Sequence, residues 1–263
     1  MRFRPCIDIH NGKVKQIVGG SLLDAGDRAR ENYVSEKGAA EYASLYRKDG
    51  LPGGHVILLN PPASEYYEAT KQQALAALRA YPGGLQAGGG ITDVNAGEYL
   101  EAGASHVIVT SYVFRDGQIR WDAMERLAKA VGREHVVIDL SCRKKEDGYY
   151  IVTNRWQTFT NVQLTGGLMD RIADYCDEFL VHGVDVEGKA SGVDEELAAL
   201  LAAHTKRPVT YAGGIGSMED LARFAQLTGG RVDFTIGSAL DLFGGPIPYL
   251  QLKMFCDQFM NDL

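Results

Sequence analysis

Ala87-Gly88-Gly89-Gly90-Ile91 closes a short apolar run over residues 84–87 and leads, past a Thr92-Asp93 cap signal, into a helical stretch over 93–102. The same grammar returns as Ala212-Gly213-Gly214-Ile215, after an apolar run over 208–212 and before a helical stretch over 218–227. A strand, a glycine turn and a helix make one βα unit. Outward from these two units the chain reads the same way. Short runs rich in Val, Ile or Leu lie at 3–9, 55–59, 84–87, 106–110, 135–140, 179–184, 208–212 and 232–236, as expected of parallel strands buried on both faces. Helical periodicity follows at 65–80, 93–102, 121–131, 168–176, 195–204 and 218–227. Eight such units in 263 residues predict an α/β fold with residues 1–263 as a single (β/α)8 TIM barrel domain. An open doubly wound sheet would carry its glycine-rich phosphate loop after the first strand. Here Ile7-Asp8-Ile9 is followed by His10-Asn11-Gly12.

The echo extends beyond the glycines. Each glycine turn precedes a helix and then a strand that ends in Val109-Thr110-Ser111 or Ile236-Gly237-Ser238. Gly89 with Gly213, Ser111 with Ser238 and Asp8 with Asp139 recur at nearly one offset, roughly 130 positions. Two half-barrels of four units each would put the two aspartates on opposite sides of the barrel mouth, and two anion sites likewise.

Bulk properties narrow the chemistry. The content is 45% hydrophobic, with 31 glycines against 8 prolines, and the formal net charge is -7. That charge argues against nucleic acid or an anionic membrane as partner, so phosphate would be held by local backbone N–H groups. Cys6, Cys142, Cys176 and Cys256 form no Cys-x-x-Cys pair and read as free thiols in a reducing cytoplasm. Neither a signal peptide nor a membrane-spanning apolar run is legible.

Asp8 and Asp139 are charges set into apolar strands, where a carboxylate is costly unless paired or used. Each could form a structural ion pair. Together they suit proton shuttling between adjacent atoms, one ionised as base and one protonated as acid. Gly89 and Gly90 with Thr110 and Ser111 form one expected phosphate cradle, and Gly213 and Gly214 with Gly237 and Ser238 the other. Glycine lets N–H groups approach the oxygens, and the following helix would add its positive end. Long polar connections over 19–38 and 141–160 follow strand ends on the catalytic face. The first opens on Gly19 and Gly20, candidate binding residues. The second contains a hairpin signal at Asp147-Gly148 and the pair Arg155-Trp156. Trp156 could stack on a flat heterocycle or pack into the core. His182, at a strand end, is a core histidine or orients substrate; Glu187 caps its loop or assists the acid.

Cys6-Ile7-Asp8-Ile9-His10-Asn11-Gly12-Lys13-Val14-Lys15-Gln16-Ile17-Val18-Gly19-Gly20, Asp139-Leu140-Ser141-Cys142-Arg143-Lys144, Asp185-Val186-Glu187-Gly188, Tyr211-Ala212-Gly213-Gly214 and the string Thr235–Gly245 resemble the phosphoribosylformimino-aminoimidazole carboxamide ribotide isomerases of histidine biosynthesis, in their eukaryotic-type form. The resemblance covers nearly the whole chain. It implies an Amadori rearrangement of an aminoaldose phosphate to the aminoketose, with no metal or organic cofactor, by a monomer acting on a small substrate with two phosphates. It also implies Asp8 as proton acceptor and Asp139 as donor. The bacterial form often has Thr at His182, Asp at Glu187, Gly-Thr at Thr110-Ser111 and Asp at Asn60. The sister barrel, the cyclase subunit of imidazole glycerol phosphate synthase, usually reads Asp-Arg-Asp-Gly-Thr where this chain has Asp185-Val186-Glu187-Gly188-Lys189. A non-catalytic phosphate-ligand sensor would not need both aspartates.

Overall fold

A computed structural model describes residues 1–17, 31–154, 156–187, 192–204 and 206–261, with side chains through Gln258. Eight parallel strands lie side by side in chain order: β1 (Cys6–His10), β2 (Gly54–Leu58), β3 (Leu85–Gly88), β4 (His106–Val109), β5 (Val136–Asp139), β6 (Glu178–His182), β7 (Val209–Ala212) and β8 (Asp233–Thr235). The sheet closes on itself. Phe3 bridges Phe234 in parallel, the Arg4 N–H donates to the Phe234 carbonyl at 2.8 Å, and the Phe234 N–H donates to Arg2 at 3.1 Å. The helices are α1 (Ala39–Lys48), α2 (Tyr67–Ala80), α3 (Ala96–Glu101), α4 (Trp121–Val131), α5 (Gly166–Ile172), α6 (Glu195–Ala203), α7 (Met218–Thr228) and α8 (Tyr249–Asn261). This is the expected (β/α)8 barrel.

Strand alternation decides what faces the barrel axis. Ile7, Ile9, Val56, Val107, Ile138, Phe179, Val181, Tyr211 and Phe234 belong to the large core shared with the helices. Their neighbours therefore point inward. Ile57, Ile108, Val137 and Leu180 form a separate apolar cluster inside the barrel, the packed interior layer of this fold. The same alternation turns Asp8, Asp139 and His182 inward, each at or near the C-terminal end of its strand. Inward placement is why these polar residues interrupt apolar strands.

Several elements differ from the sequence reading. Asn11 and Gly12, at φ 51° and 71°, turn β1 back into an antiparallel strand, Lys13–Ile17, which pairs with a further strand, Glu31–Val34. Asn-Gly with both residues left-handed is the tight hairpin turn whose twist matches its strands. The connection over 19–38 therefore carries a strand, while residues 18–30 lie outside the described part. Helix α1 buries Ala39, Tyr42, Ala43 and Tyr46, a helical spacing that two tyrosines disguise. The expected hairpin after β5 is present and larger: Cys142–Lys145, Gly148–Thr153 and Thr158–Gln163 form a three-stranded antiparallel sheet.

Candidate active site

Asp8, Asp139, His182, Glu187 and Trp156 line one cavity of about 300 Å³ at the C-terminal ends of the strands, together with Gly213, Gly214, Gly237 and Ser238. β1 and β5 are four strands apart in a barrel of eight, so the two aspartates face each other across it. The half-barrel offset anticipates this opposition.

Asp139 is held by a closed set of donors. The Ser141 N–H and Oγ approach its Oδ1 at 2.8 and 2.7 Å, and the Thr110 hydroxyl donates to Oδ2 at 3.1 Å. His182 Nδ1 lies 3.4 Å from Oδ1. Burial by itself pushes the Asp139 carboxyl up, but the His182 charge and these hydrogen bonds bring it below the ordinary aspartate value. Burial likewise works against the His182 cation, and Asp139 overrides it, raising His182 to about 9. Asp139 and His182 thus form a buried pair in which each favours the charged form of the other.

Asp8 has a different environment. Burial, and then the neighbouring Glu187 carboxylate, push it up to about 7, with His182 pulling the other way. Burial also pushes Glu187 up, and its Oε2 is enclosed with no hydrogen-bond partner among the described residues. The two aspartates are driven apart in acidity by their surroundings, the usual mark of an acid–base pair.

The two glycine turns adopt one conformation. Gly89 and Gly90 have φ of 100° and 69°, and Gly213 and Gly214 have 126° and 75°, a region that L side chains rarely enter. A Cβ on Gly89 would overlap the Leu58 carbonyl, and one on Gly214 the Gly192 carbonyl. Among the described residues no protein acceptor takes the N–H of Gly214, Ser238 or Ala239 on one side, or of Gly90, Ile91 or Ser111 on the other. Such backbone donors are what an anion requires. The N-terminal end of α7 contributes less than expected. At α7 the Ser217 hydroxyl accepts from the Asp220 N–H, Asp220 accepts from the Gly216 N–H, and Glu219 adds a second acid.

The first turn does not open into the same cavity. Gly90 and Ser111 line a separate recess of about 540 Å³ with Arg115, Arg120 and Arg126. Asn154 lines this recess, whereas Trp156, two residues on, lines the first cavity. Thr110, expected in the cradle, is turned to Asp139 instead. Gly19, Gly20 and Arg155 lie outside the described residues. Trp156 donates from Nε1 to Ser141 Oγ at 3.0 Å, and its ring lies 5.4 Å from that of His182.

Four participants escaped the sequence reading. His55, inward on β2, is kept neutral by burial, its imidazole lowered to about 3. Cys6 and Gln16 also line the cavity; burial and then the Asp8 charge push the Cys6 thiol up. Ser141 joins Asp139, His182 and Trp156. Only the strand alternation hinted at His55 and Cys6. Among the described residues one group has metal-ligand spacing, His106, Asp177 and Glu178. It sits at the N-terminal ends of β4 and β6, where Glu178 accepts from Gln86 and pairs with Arg4. The cavity end of the barrel shows no such group among the described residues.

Comparison with known proteins agrees over nearly the full length. Residues 2–245 match the family described as histidine biosynthesis protein. A relative from Medicago truncatula, named as a chloroplastic 1-(5-phosphoribosyl)-5-((5-phosphoribosylamino)methylideneamino)imidazole-4-carboxamide isomerase, is 56% identical over 98% of this chain and 82% of its own. Relatives of the same isomerase name from Neurospora crassa and Saccharomyces cerevisiae are 47% and 43% identical, each over 93% of both chains.

Proposed function

The chain belongs to the histidine biosynthesis protein family, and on that footing we propose a catalytic assignment in which Asp8 takes a proton from the substrate and the Asp139–His182 pair supplies one. The protein is an isomerase of histidine biosynthesis, an intramolecular aldose–ketose isomerase of the kind its relatives are named for. The observation that carries the assignment is one cavity with Asp8 on one wall and Asp139 paired with His182 on the opposite wall, and burial that raises Asp8 toward 7 supports it.

The aminoaldose must first open. The amine nitrogen pushes electrons toward C1 as the C1–O bond breaks, and the ring oxygen takes a proton. His182, held against Asp139, supplies it. A base then removes the C2 proton to leave an enaminol; Asp8, near 7, is ionised often enough at neutral pH to act. Return of a proton to C1 and loss of one from the C2 hydroxyl give the aminoketose. Glu187 lies beside Asp8 with an enclosed oxygen free to meet a substrate hydroxyl. The cradle at Gly213, Gly214, Gly237 and Ser238 takes one phosphate, that at Gly89, Gly90 and Ser111 the other, and Trp156 lies against the heterocycle between them.

We propose that a monomer of one barrel acts alone on a small molecule, without nucleic acid or membrane. Among the described residues no helix is long and apolar enough to cross a membrane. The four cysteines are buried and unpaired, in keeping with a reducing compartment. We place the protein in the cytoplasm, with the plastid, named for the Medicago relative, as the other outcome of a localisation experiment. The function is tested by turnover: the purified chain alone, without metal, ammonia or a glutaminase, converts the aminoaldose to its ketose isomer. No turnover alone, with ammonia-dependent synthesis from the ketose, would make it the cyclase.

A further inference from the structure

We infer that Ser141 is a positioning residue of this reaction: its hydroxyl fixes which nitrogen of His182 faces Asp139 with a proton, and ties that pair to Trp156. The inference rests on the acid–base reading above and deepens it.

The geometry leaves one hydrogen-bond pattern. Ser141 is fully buried, and its Oγ lies 2.7 Å from Asp139 Oδ1, 3.2 Å from His182 Nδ1 and 3.0 Å from Trp156 Nε1. A hydroxyl has one hydrogen and two lone pairs; an ionised carboxylate only accepts, and an indole N–H only donates. The hydroxyl hydrogen therefore goes to Asp139. One lone pair takes the Trp156 N–H. Only a lone pair remains for His182 Nδ1, so that nitrogen must carry a proton, shared between Ser141 Oγ and Asp139 Oδ1. The other ring nitrogen, Nε2, is left for the substrate in a ring that lines the cavity.

The surroundings agree. Among the described residues, the titratable groups acting on His182 are Asp139 on β5, Asp8 on β1, Glu187 in the loop after β6 and His55 on β2. Three are acids, and His55 is held neutral. A second proton on His182 is therefore favoured, and it resides on Nε2, where it can be delivered. Trp156 shows the other half of the device. Its φ of 69° is an outlier for a bulky residue, a conformation that persists only where surroundings over-determine it. The bond to Ser141 and the contact with the His182 ring are those surroundings. The loop after β5 and the proton donor are thus set together by one hydroxyl.

The test uses the full chain in two ways. Isotope-labelled histidine followed by NMR reports the His182 tautomer and titration without turnover. The expected neutral tautomer above the transition carries its proton on Nδ1, and an Nε2–H tautomer would overturn the inference in the wild type. In Ser141→Ala, Asp139 loses a donor and Nδ1–H an acceptor. A hydrogen bond to a charged group is large enough to lower the His182 titration by about one pH unit or more. The alkaline limb of kcat/KM should move down by the same amount, kcat should fall about tenfold, and KM should hold within about twofold. Ser141→Thr, which keeps the hydroxyl, should return the limb. An unchanged His182 titration in Ser141→Ala would make Ser141 a packing residue only. Absence of turnover in the wild type, with the Nδ1–H tautomer present, would count against the isomerase assignment while leaving the hydrogen-bond pattern standing.

Discussion

Replacing Asp8 with Asn should cut turnover by orders of magnitude and at the same time stabilise the fold, increasingly as pH rises toward and above 7. The folded protein raises this carboxyl from its ordinary 3.8 to about 7, chiefly by burial. The folded state therefore disfavours the charge. Stability contributed by the neutral carboxyl is fully present below about pH 4 and is lost as pH rises through 7. Three pKa units correspond to at most about 4 kcal/mol. Asp8 is only partly enclosed and borders a cavity, so water screening brings the realistic figure to about 1–2 kcal/mol between pH 5 and pH 8.5. Asn has the shape of the protonated acid and never charges. Wild type and Asp8→Asn should melt close together at pH 4. At pH 8.5 the variant should melt about 3–8 °C higher, while its kcat falls by about 10²–10⁴. Glu187, His182 and Cys6 are coupled to Asp8, so the pH dependence of the difference reports Asp8 together with the shifts it imposes on these neighbours. A constant difference, or one that widens toward acid, would refute the raised Asp8 and with it the poised base.

Three further outcomes follow from the same site. The kcat/KM profile should rise through about pH 7 as Asp8 ionises and fall through about pH 9 as His182 loses its proton; a turnover series from pH 5.5 to 10 reads both limbs, and a flat profile would remove the pair from the chemistry. Asp139→Asn should lower kcat by orders of magnitude, with product affinity by calorimetry within a few-fold, because the cradles are untouched. Gly214→Ala should raise KM about tenfold or more, since its φ of 75° and the Gly192 carbonyl leave no room for a Cβ. An alanine variant with wild-type KM and melting temperature would show that this turn does not hold phosphate.

The legible part of the fold is the part governed by local pattern. β-strands buried on both faces must be apolar runs, so all eight barrel strands are legible: seven within a residue or two at each end, and the first, expected over 3–9, begins three residues later at Cys6. Asp8 and Asp139 stood out because a carboxylate in such a run is costly. The glycine turns stood out because positive φ demands that residue. The two antiparallel strands after β1 were missed although Asn11-Gly12 is a hairpin signal, because a parallel barrel gave no place to look for one. Helix α1 was missed because its buried stripe is half tyrosine.

Sequence by itself determined the barrel, the two opposed aspartates and the paired glycine turns, since strand period, helix period and a half-chain repeat are properties of spacing along the chain. The tertiary structure alone decided the acidity of those aspartates. Burial beside Glu187 lifts Asp8, while His182 and Thr110, from two other segments, join the neighbouring Ser141 in holding Asp139 down. It also turned Thr110 from the phosphate to the carboxylate, placed the two glycine turns in separate recesses, and brought Ser141 between His182 and Trp156. Each of those depends on contacts between residues far apart in the chain, and a pKa or a hydrogen-bond pattern exists only once the closed barrel has brought them within a few ångströms.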